Sequence, residues 1–489
     1  RLYSIRCPKG PAMITRALLL VTLLCCASQA ADRPNIIFYI TDDISYNDLG
    51  CYGHPTIKTP HLDRMAREGR VFDRAYLTTS SCSPTRCSMI TGRYPHNTGA
   101  PELHTNLPAD QTIFPEKLKE AGYYTLLSGK HHMGNTVNRG FDKVDGGKGP
   151  GKQENWVQLL KDRPKDKPFF FWLASTDAHR GWQINDDAPQ YKPEDVVVPP
   201  YLPDTPKVRA DFAAYYHEVS RTDHFLGQLR AELERQGIAE NTYVIYCSDN
   251  GRPMPRAKSW LVEEGIRTPL IIWRPGTIKP GRTEAMASLI DLSATFLDLA
   301  DVKKPETIQG VSLRAVLDDP KASVRDVVFA EHNWHVYQAH ERMVRFGEYL
   351  YIKNAWPDMW TMGGETGPWF ESGEELFDAV KNGKATDLMR SVIATPRPAE
   401  QLFHVPSDSM NVKNLIDDPK HKAVADRMRG LLKQWTEQTG DTVPDKPTND
   451  RETVDRKKNS DHKRGEFPGA AAGATKINRP GPVRVESTN

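Results

Sequence analysis

Five short apolar runs constrain this chain more than any other feature. Asn35–Thr41 (NIIFYIT), 123–127 (YYTLL), 168–174 (PFFFWLA), 242–247 (TYVIYC) and 269–273 (PLIIW) are each of strand length and nearly unbroken by polar residues. A strand that is apolar at almost every position is buried on both faces. Between the runs lie stretches of helical periodicity. Across 208–236, Phe212, Tyr215, Tyr216, Val219, Phe225, Leu226, Leu229 and Leu233 recur at helical spacing, and Gly237 ends the pattern. A shorter helix opens at Thr59-Pro60 and runs to Gly69, with Leu62, Met65 and Ala66 on one face. Doubly buried strands alternating with helices predict an α/β fold with a mainly parallel sheet. From about Val324 the texture changes. Short β-like runs at 327–330, 343–346 and 349–352 precede a helical stretch at 423–436, the pattern of a smaller C-terminal α+β subdomain. The division expected is 31–323 for the main domain, 324–440 for the subdomain and 441–489 for a disordered tail. That last segment is polar, with five prolines and a single aromatic, Phe467.

Composition closes off several classes. Lys+Arg is 65 against Asp+Glu 63, a net charge of +2, so no basic excess serves a nucleic-acid backbone. A hydrophobic fraction of 38% excludes wholesale disorder, and a mean hydropathy of −0.59 excludes a polytopic membrane protein. The N-terminus reads as an address. The apolar run 17–27 (ALLLVTLLCCA) follows Arg6, Lys9 and Arg16 and precedes Ser28-Gln29-Ala30. This is the layout of a cleaved signal peptide over 1–30, too short to span a membrane comfortably, with 1–12 read as lying upstream of a start at Met13. Leu24 before Cys25 argues against a lipoprotein cysteine. Beyond the leader only Cys51, Cys82, Cys87 and Cys247 remain, with no C-x-x-C pair, so no disulfide framework is expected. No Asn-x-Ser/Thr sequon follows the leader. Export to a bacterial periplasm or beyond is the expected localisation, with no stable membrane insertion.

In open α/β sheets, ligands bind at the carboxyl ends of the strands. Asp42-Asp43 follow the first run, Gly129-Lys130-His131-His132 the second, Asp177-Ala178-His179-Arg180 the third, and Asp249-Asn250-Gly251 the fourth. One such cluster means little, because Asp often caps helices. Four at matching edges point to a site. Asp42, Asp43, Asp249 and Asn250 offer only oxygen ligands, which suits Ca²⁺, or Mg²⁺, over Zn²⁺. Lys130, His132 and His179 read as cationic or proton-transferring groups around an anion.

The sharpest local signal is Cys82-Ser83-Pro84-Thr85-Arg86, followed by Thr91-Gly92-Arg93. Pro84 suits a helix start and Gly92 a helix end, which puts Cys82 where the helix dipole favours anions. Arg86, one turn on, is placed to bind an oxyanion or to orient the group at Cys82. A lone cysteine is more often simply buried.

These residues resemble the type I sulfatases, whose signature is C-x-P-x-R followed by Thr-Gly. In that family the cysteine is oxidised to formylglycine by a formylglycine-generating enzyme. The resemblance spans about 33–440. Asn35–Asp43 is similar to the family's first strand and metal pair, and 129–134 (GKHHMG) to its G-K-x-H-x-G element. His179 falls at its later histidine, and 248–251 (SDNG) matches its second metal element. Lys258 with 263–267 (EEGIR) fits K-x(4)-E-x-G-x-R, and 400–419 resembles the family's closing segment. Thr85 and Cys87 depart from the commoner residues without touching Cys82, Pro84 or Arg86. Within the family, 177–180 (DAHR) and 195–223 look like the N-sulfoglucosamine sulfohydrolase (sulfamidase) subgroup, which usually has Arg where this chain has Lys258, a point charge in place of a planar fork.

The resemblance implies an alkaline-phosphatase-like sandwich, with the catalytic domain over 31–323. It also implies hydrolysis of sulfuric esters or sulfamates on sulfated sugars, with N-sulfoglucosamine as first choice. Cys82, as formylglycine, would be the nucleophile and a metal ligand beside Asp42, Asp43, Asp249 and Asn250. Arg86 would orient the diol, and Lys130 and Lys258 would hold the sulfuryl oxygens. His179 or Lys258 would protonate the leaving atom. The second diol hydroxyl, deprotonated by His132, would expel sulfate. Arg180 is expected to contact the sugar. An O-sulfatase on other polysaccharides, a phosphodiesterase of the same superfamily and a non-catalytic glycan binder are the alternatives.

Overall fold

The computed structural model describes residues 33–360, 362–453, 457–469 and 473–485. The expected signal peptide, 1–30, lies outside them. One sheet holds eight strands: β1 (Asn35–Thr41), β2 (Arg70–Tyr76), β3 (Tyr124–Gly129), β4 (Lys143–Asp145), β5 (Phe169–Ala174), β6 (Thr242–Ser248), β7 (Leu270–Trp273) and β8 (Gly281–Ser288). Their order is β4-β3-β5-β1-β6-β7-β2-β8. Neighbours run parallel except that β7 is antiparallel to both β6 and β2. The fold is the alkaline-phosphatase-like α/β sandwich.

The central strands are buried at every position, as their unbroken apolar sequences require. Ile40 pairs with Ala174 and Thr41 with Ser248, so β1, β5 and β6 finish level at their carboxyl ends. The strands that periodicity missed are peripheral or short. β2 (RVFDRAY) and β8 (GRTEAMAS) carry charges on their less buried positions, so neither reads as an apolar run. β4 has three residues.

Helices flank the sheet. α1 (Pro60–Glu68) and the long α3 (Pro206–Arg235) pack on each other. Pro206 occupies the first turn of α3, and the Thr205 side chain accepts the Val208 N–H. Between them in sequence comes α2 (Cys82–Thr91), all ten residues of which are buried. Its end is fixed by Gly92 at φ 67°, where a Cβ would also lie 2.7 Å from Ile308 Cγ2. α4 (Asp291–Leu299) packs against α2, and α5 (Glu371–Lys381) against α3.

The subdomain is a four-stranded antiparallel sheet, β12-β11-β10-β9, made of β9 (Val327–His332), β10 (Glu341–Phe346), β11 (Tyr349–Asn354) and β12 (Glu400–His404). α6 (Lys422–Thr439) covers it through Trp435, which stacks on Phe329 with ring centroids 5.2 Å apart. Among the described residues, no helix is long and apolar enough to cross a membrane.

The disordered tail expected over 441–489 is a correction. Its described parts return to the main domain and the subdomain and complete buried polar groups. Asp441 takes a bidentate pair from Arg342, at 2.6 and 2.7 Å. Thr448 and Arg464 both bond Glu102. The Arg93 guanidinium donates to the carbonyls of Thr475 and Ile477 and to Asn478 Oδ1, at 3.0, 2.9 and 2.8 Å. The amide of Asp326 donates to the Val483 carbonyl. A segment poor in apolar residues is held here because buried Arg93, Glu102 and Arg342 need partners. Hydropathy does not register that demand.

Candidate active site

The level ends of β1, β5 and β6, with the neighbouring end of β3, form the site's floor. The chain turns at Asp43, held at φ 58°, so that Asp42 and Asp43 both stay at the edge. The Asp249 amide donates to the Thr41 carbonyl, and the Asp42 amide to the Asp177 carbonyl, which locks the three strand ends together. Tyr215 of α3 donates to the Asp43 carbonyl at 3.2 Å. Above the floor stands the N-terminus of α2. Ser81 is extended, and its carbonyl accepts the Thr85 amide, so Cys82 takes the first helical position.

This brings together residues far apart in sequence. Cys82 Sγ lies 3.6 Å from Asp42 Oδ1 and 4.0 Å from Asp43 Oδ1. Ligand atoms of Asp42, Asp43 and Cys82 all fall within 4.8 Å of one another. Arg86 Nε donates to Asp249 Oδ2 at 2.7 Å, and its Nη1 to the Lys130 carbonyl at 2.6 Å. Lys130 pairs with Asp42. Lys258 Nζ lies 2.9 Å from Asp43 Oδ2. Asn250 donates its amide to Asp43. Asp42, Asp43, Cys82, Arg86, Asp249, Asn250 and Lys258 are all at most 2% exposed.

The electrostatics follow from crowding charge in a dry place. Burial opposes ionisation of Asp42, but Lys130, then His179, Arg86 and Lys258, outweigh it and hold the carboxyl well below its ordinary range. Asp43 has a weaker bargain: burial and the charge of Asp42 lift it to about 6 despite Lys258. Burial also raises Asp249, against the pull of Arg86. Burial pushes the Cys82 thiol far up, so the unmodified side chain is a poor nucleophile. Burial, then the charge of Lys130, pushes His132 down to about 2, leaving a neutral imidazole.

The donor set fits a hard divalent cation. Three carboxylates are packed together, two of them lifted above their ordinary range, and the buried Asn250 Oδ1 has no hydrogen-bond partner among the described residues. Asp42, Asp43, Asp249 and Asn250 are the residues that could hold it, through oxygen alone.

A sulfatase family model matches residues 34–302, more than half the chain. This chain belongs to the sulfatase family. It is a hydrolase of sulfate esters or sulfamates. A second model, described as the N-sulphoglucosamine sulphohydrolase C-terminal region, matches 256–353 of the sulfatase. Human N-sulphoglucosamine sulphohydrolase is 30% identical over 484 residues, covering 87% of this chain and 93% of the human one. An ulvan-active sulfatase of Formosa agariphila is 27% identical over 464 residues, covering 84% and 76%. In fold, the sulfatase matches a structure solved with its substrate D-glucosamine-2-N,6-O-disulfate at a TM-score of 0.64 and 21% identity, covering 83% and 98% of the two chains. A 2-O GAG sulfatase structure matches with a TM-score of 0.63 at 21% identity, over 83% and 92%.

His179 stands at the mouth, where a cavity of about 300 Å³ is lined by Asp42, Lys130, Thr176 and His179 among others. Burial and the two lysines work against its protonation, but Asp43 and a bond to Glu365 outweigh them and raise it. Arg180, expected on the sugar, corrects the sequence reading. Its guanidinium grips Asp211 with two bonds of 2.7 Å, bonds the Pro253 carbonyl and Glu371, and lies over Phe370. With its side chain 3% exposed and its fifth N–H on Met254 Sδ, it ties the mouth to α3 and α5 and has no donor left for a ligand.

Three sulfatase residues escaped sequence reasoning. Glu365 Oε1 lies 3.2 Å from Lys258 Nζ and 3.3 Å from His179 Nε2. His335 Nε2 lies 3.4 Å from Glu365 Oε2, and its Nδ1 2.6 Å from Ser81 Oγ. His104 Nδ1 lies 2.7 Å from His132 Nε2. None follows an apolar strand run. One signal did exist: Glu365 is the only charged residue in the Trp- and Gly-rich stretch 359–370.

Proposed function

We propose that this sulfatase is an exported enzyme that releases sulfate from sulfated sugars, with terminal N-sulfoglucosamine as its substrate, through a formylglycine formed from Cys82 and a bound Ca²⁺. The observation that carries the reading is the placement of Cys82. It sits at the start of a fully buried helix, with its sulfur facing Asp42 and Asp43 and with Arg86, Lys130 and Lys258 around it. When present, formylglycine supplies a hydrated-aldehyde nucleophile and Ca²⁺ supplies charge to activate it and to neutralise the sulfuryl group. Mg²⁺ would serve the same oxygen ligands. The leader at 1–30 supports export, and the C-x-P-x-R element supports recognition by a formylglycine-generating enzyme.

The chain's own residues do the rest. Arg86, fixed by Asp249 and the Lys130 carbonyl, orients the group at position 82. Lys130 and Lys258 carry their positive charge to the sulfuryl oxygens. His179, at the mouth and raised toward its protonated form, delivers a proton from Nε2 to the leaving atom. Lys258 shares contact with Glu365 and is the second candidate for that proton. His132, whose Nδ1 has no partner among the described residues, is the residue placed to act as the base that completes turnover. A cavity of about 300 Å³ is at the small end of ligand sites and favours a chain end over a chain interior.

The choice of sugar leans on the human N-sulphoglucosamine sulphohydrolase and on the C-terminal match across Lys258. The likeness to an ulvan-active sulfatase favours a second reading, an O-sulfatase on an exported polysaccharide diet. A panel of N-sulfoglucosamine and 2-, 4- and 6-O-sulfated sugars, assayed for sulfate release, separates the two. Release from the O-sulfated members alone rejects the sulfamidase reading. A matched pair of aryl sulfate and aryl phosphate tests the phosphodiesterase alternative.

A further inference from the structure

Glu365 reaches the site from the subdomain side, and its position bears on which sulfur linkage the enzyme accepts. Its loop is anchored by an aromatic cluster in which Tyr337 packs on Trp360 at 4.8 Å between ring centroids and Trp360 packs on Phe377 at 5.8 Å. The carboxylate is held at both oxygens. Oε2 faces His335, which in turn meets Ser81, the residue before Cys82. Oε1 faces both candidate acids, His179 Nε2 at 3.3 Å and Lys258 Nζ at 3.2 Å. The carboxylate is therefore registered against position 82 on one side and against the proton donors on the other.

The consequence rests on the reading of His179 and Lys258 as leaving-group acids. Whichever donates, the atom that leaves sulfur must come within hydrogen-bond reach of it. Glu365 Oε1, in contact with both candidates, borders that place. A sulfamate nitrogen carries an N–H, a donor that a carboxylate accepts. The bridging oxygen of a sulfate ester carries only lone pairs, which a carboxylate repels. We propose that Glu365 is a specificity-determining residue: it accepts the sulfamate N–H and disfavours the corresponding ester, so that the site selects N-sulfated amino sugars.

In the overall reaction the N–S bond breaks and its electron pair goes to nitrogen. The acid's proton joins that nitrogen to give the amine, and water supplies the oxygen of sulfate and the remaining protons. Sulfamate and water thus become an ammonium and sulfate. The ammonium formed is a cation beside Glu365, so the same carboxylate serves the product. Selection by a present or missing N–H is a strong discriminator, because the ester sets a lone pair against the carboxylate where the sulfamate sets a donor.

The test compares N-sulfoglucosamine with glucose 2-sulfate, its oxygen isostere, on enzyme carrying formylglycine. Wild type should prefer N-sulfoglucosamine. Glu365→Ala should lose about 10²-fold or more in kcat/KM on N-sulfoglucosamine, while turnover of glucose 2-sulfate falls far less, because only the sulfamate loses its acceptor. Glu365→Asp should restore part of the N-sulfo preference. Glu365→Gln, nearly isosteric, guards against misfolding, and thermal melting of each variant checks it. An equal fall on both sugars, or an unchanged preference in every variant, overturns the proposal while the substrate reading stands. Wild-type turnover of glucose 2-sulfate without turnover of N-sulfoglucosamine overturns the substrate reading and this proposal together.

Discussion

The carboxyl edge of the large sheet and the C-terminal third of the chain contribute to the same site by different means. At the sheet edge, each contribution is local. An apolar strand ends, and the next two to five residues carry the chemistry: Asp42-Asp43 after β1, Lys130 and His132 after β3, His179 after β5, Asp249-Asn250 after β6. In the C-terminal third, contributions are single side chains or carbonyls that arrive from far away: Glu365 against Lys258, His335 against Ser81, and the tail against Arg93, Glu102 and Arg342. The first region is built by burial of strands, which dictates where the polar ends must be. The second is built by satisfying charges buried elsewhere in the fold, Lys258, Arg93 and Glu102 in the main domain and Arg342 in β10. A site of this kind needs both, and a perturbation should cost activity in the first and stability or selectivity in the second.

The strongest challenge to that division is Cys82→Ala. Turnover should fall by at least about 10⁴-fold, the scale at which nucleophile removal leaves only binding and electrostatics, and the melting curve should move little. Near-normal activity would remove the covalent mechanism. Next in size, Asp42→Ala and Asp249→Ala should lose bound Ca²⁺ and at least about 10²-fold in activity together, since a ligand change cannot cost less than the changes made around one. Metal analysis with full occupancy in both variants would contradict the ligand assignment.

On the other side of the comparison, truncation after Gly440 should lower stability sharply. Arg342 loses Asp441, Glu102 loses Thr448 and Arg464, and Arg93 loses Asn478 and the Thr475 and Ile477 carbonyls while keeping those of Asn97 and Thr307. A buried charge stripped of its partner costs about 3–5 kcal/mol, so a fall in Tm of about 10 °C or more is expected. A superimposable melting curve would show that these contacts carry no weight. The smallest effect belongs to Lys422→Ala, which breaks an exposed i,i+4 pair with Asp426, side chains 76% and 49% exposed. Its melting curve should match wild type within error, because such pairs are screened by solvent.

The legibility of the sequence divides along the same line. The five apolar strands, the helices beginning near Thr59, Cys82 and Val208, the level strand ends and the cluster of Asp42, Asp43, Cys82, Arg86, Lys130, Asp249, Asn250 and Lys258 can be read from apolar runs, helical spacing and the polar residues at the strands' carboxyl ends, together with the C-x-P-x-R element. The antiparallel β7 cannot, because LIIW is equally apolar in either direction. β8 is hidden by the charges of an edge strand. Arg180 looked available because it neighbours His179. What withdraws it is Asp211, on a helix that nothing in the sequence places beside it. The docked tail and Glu365 are invisible for the same reason: pairing across about a hundred residues or more leaves no periodic trace.

The central claim is that Cys82 is converted to the catalytic aldehyde, and a mass spectrum of the peptide spanning Ser81 to Arg86 from active enzyme tests it most directly. The expected result is a species carrying formylglycine in place of cysteine, which reacts with a hydrazide probe and whose abundance tracks sulfate-releasing activity across preparations. Fully active enzyme with only unmodified cysteine at position 82 would contradict it.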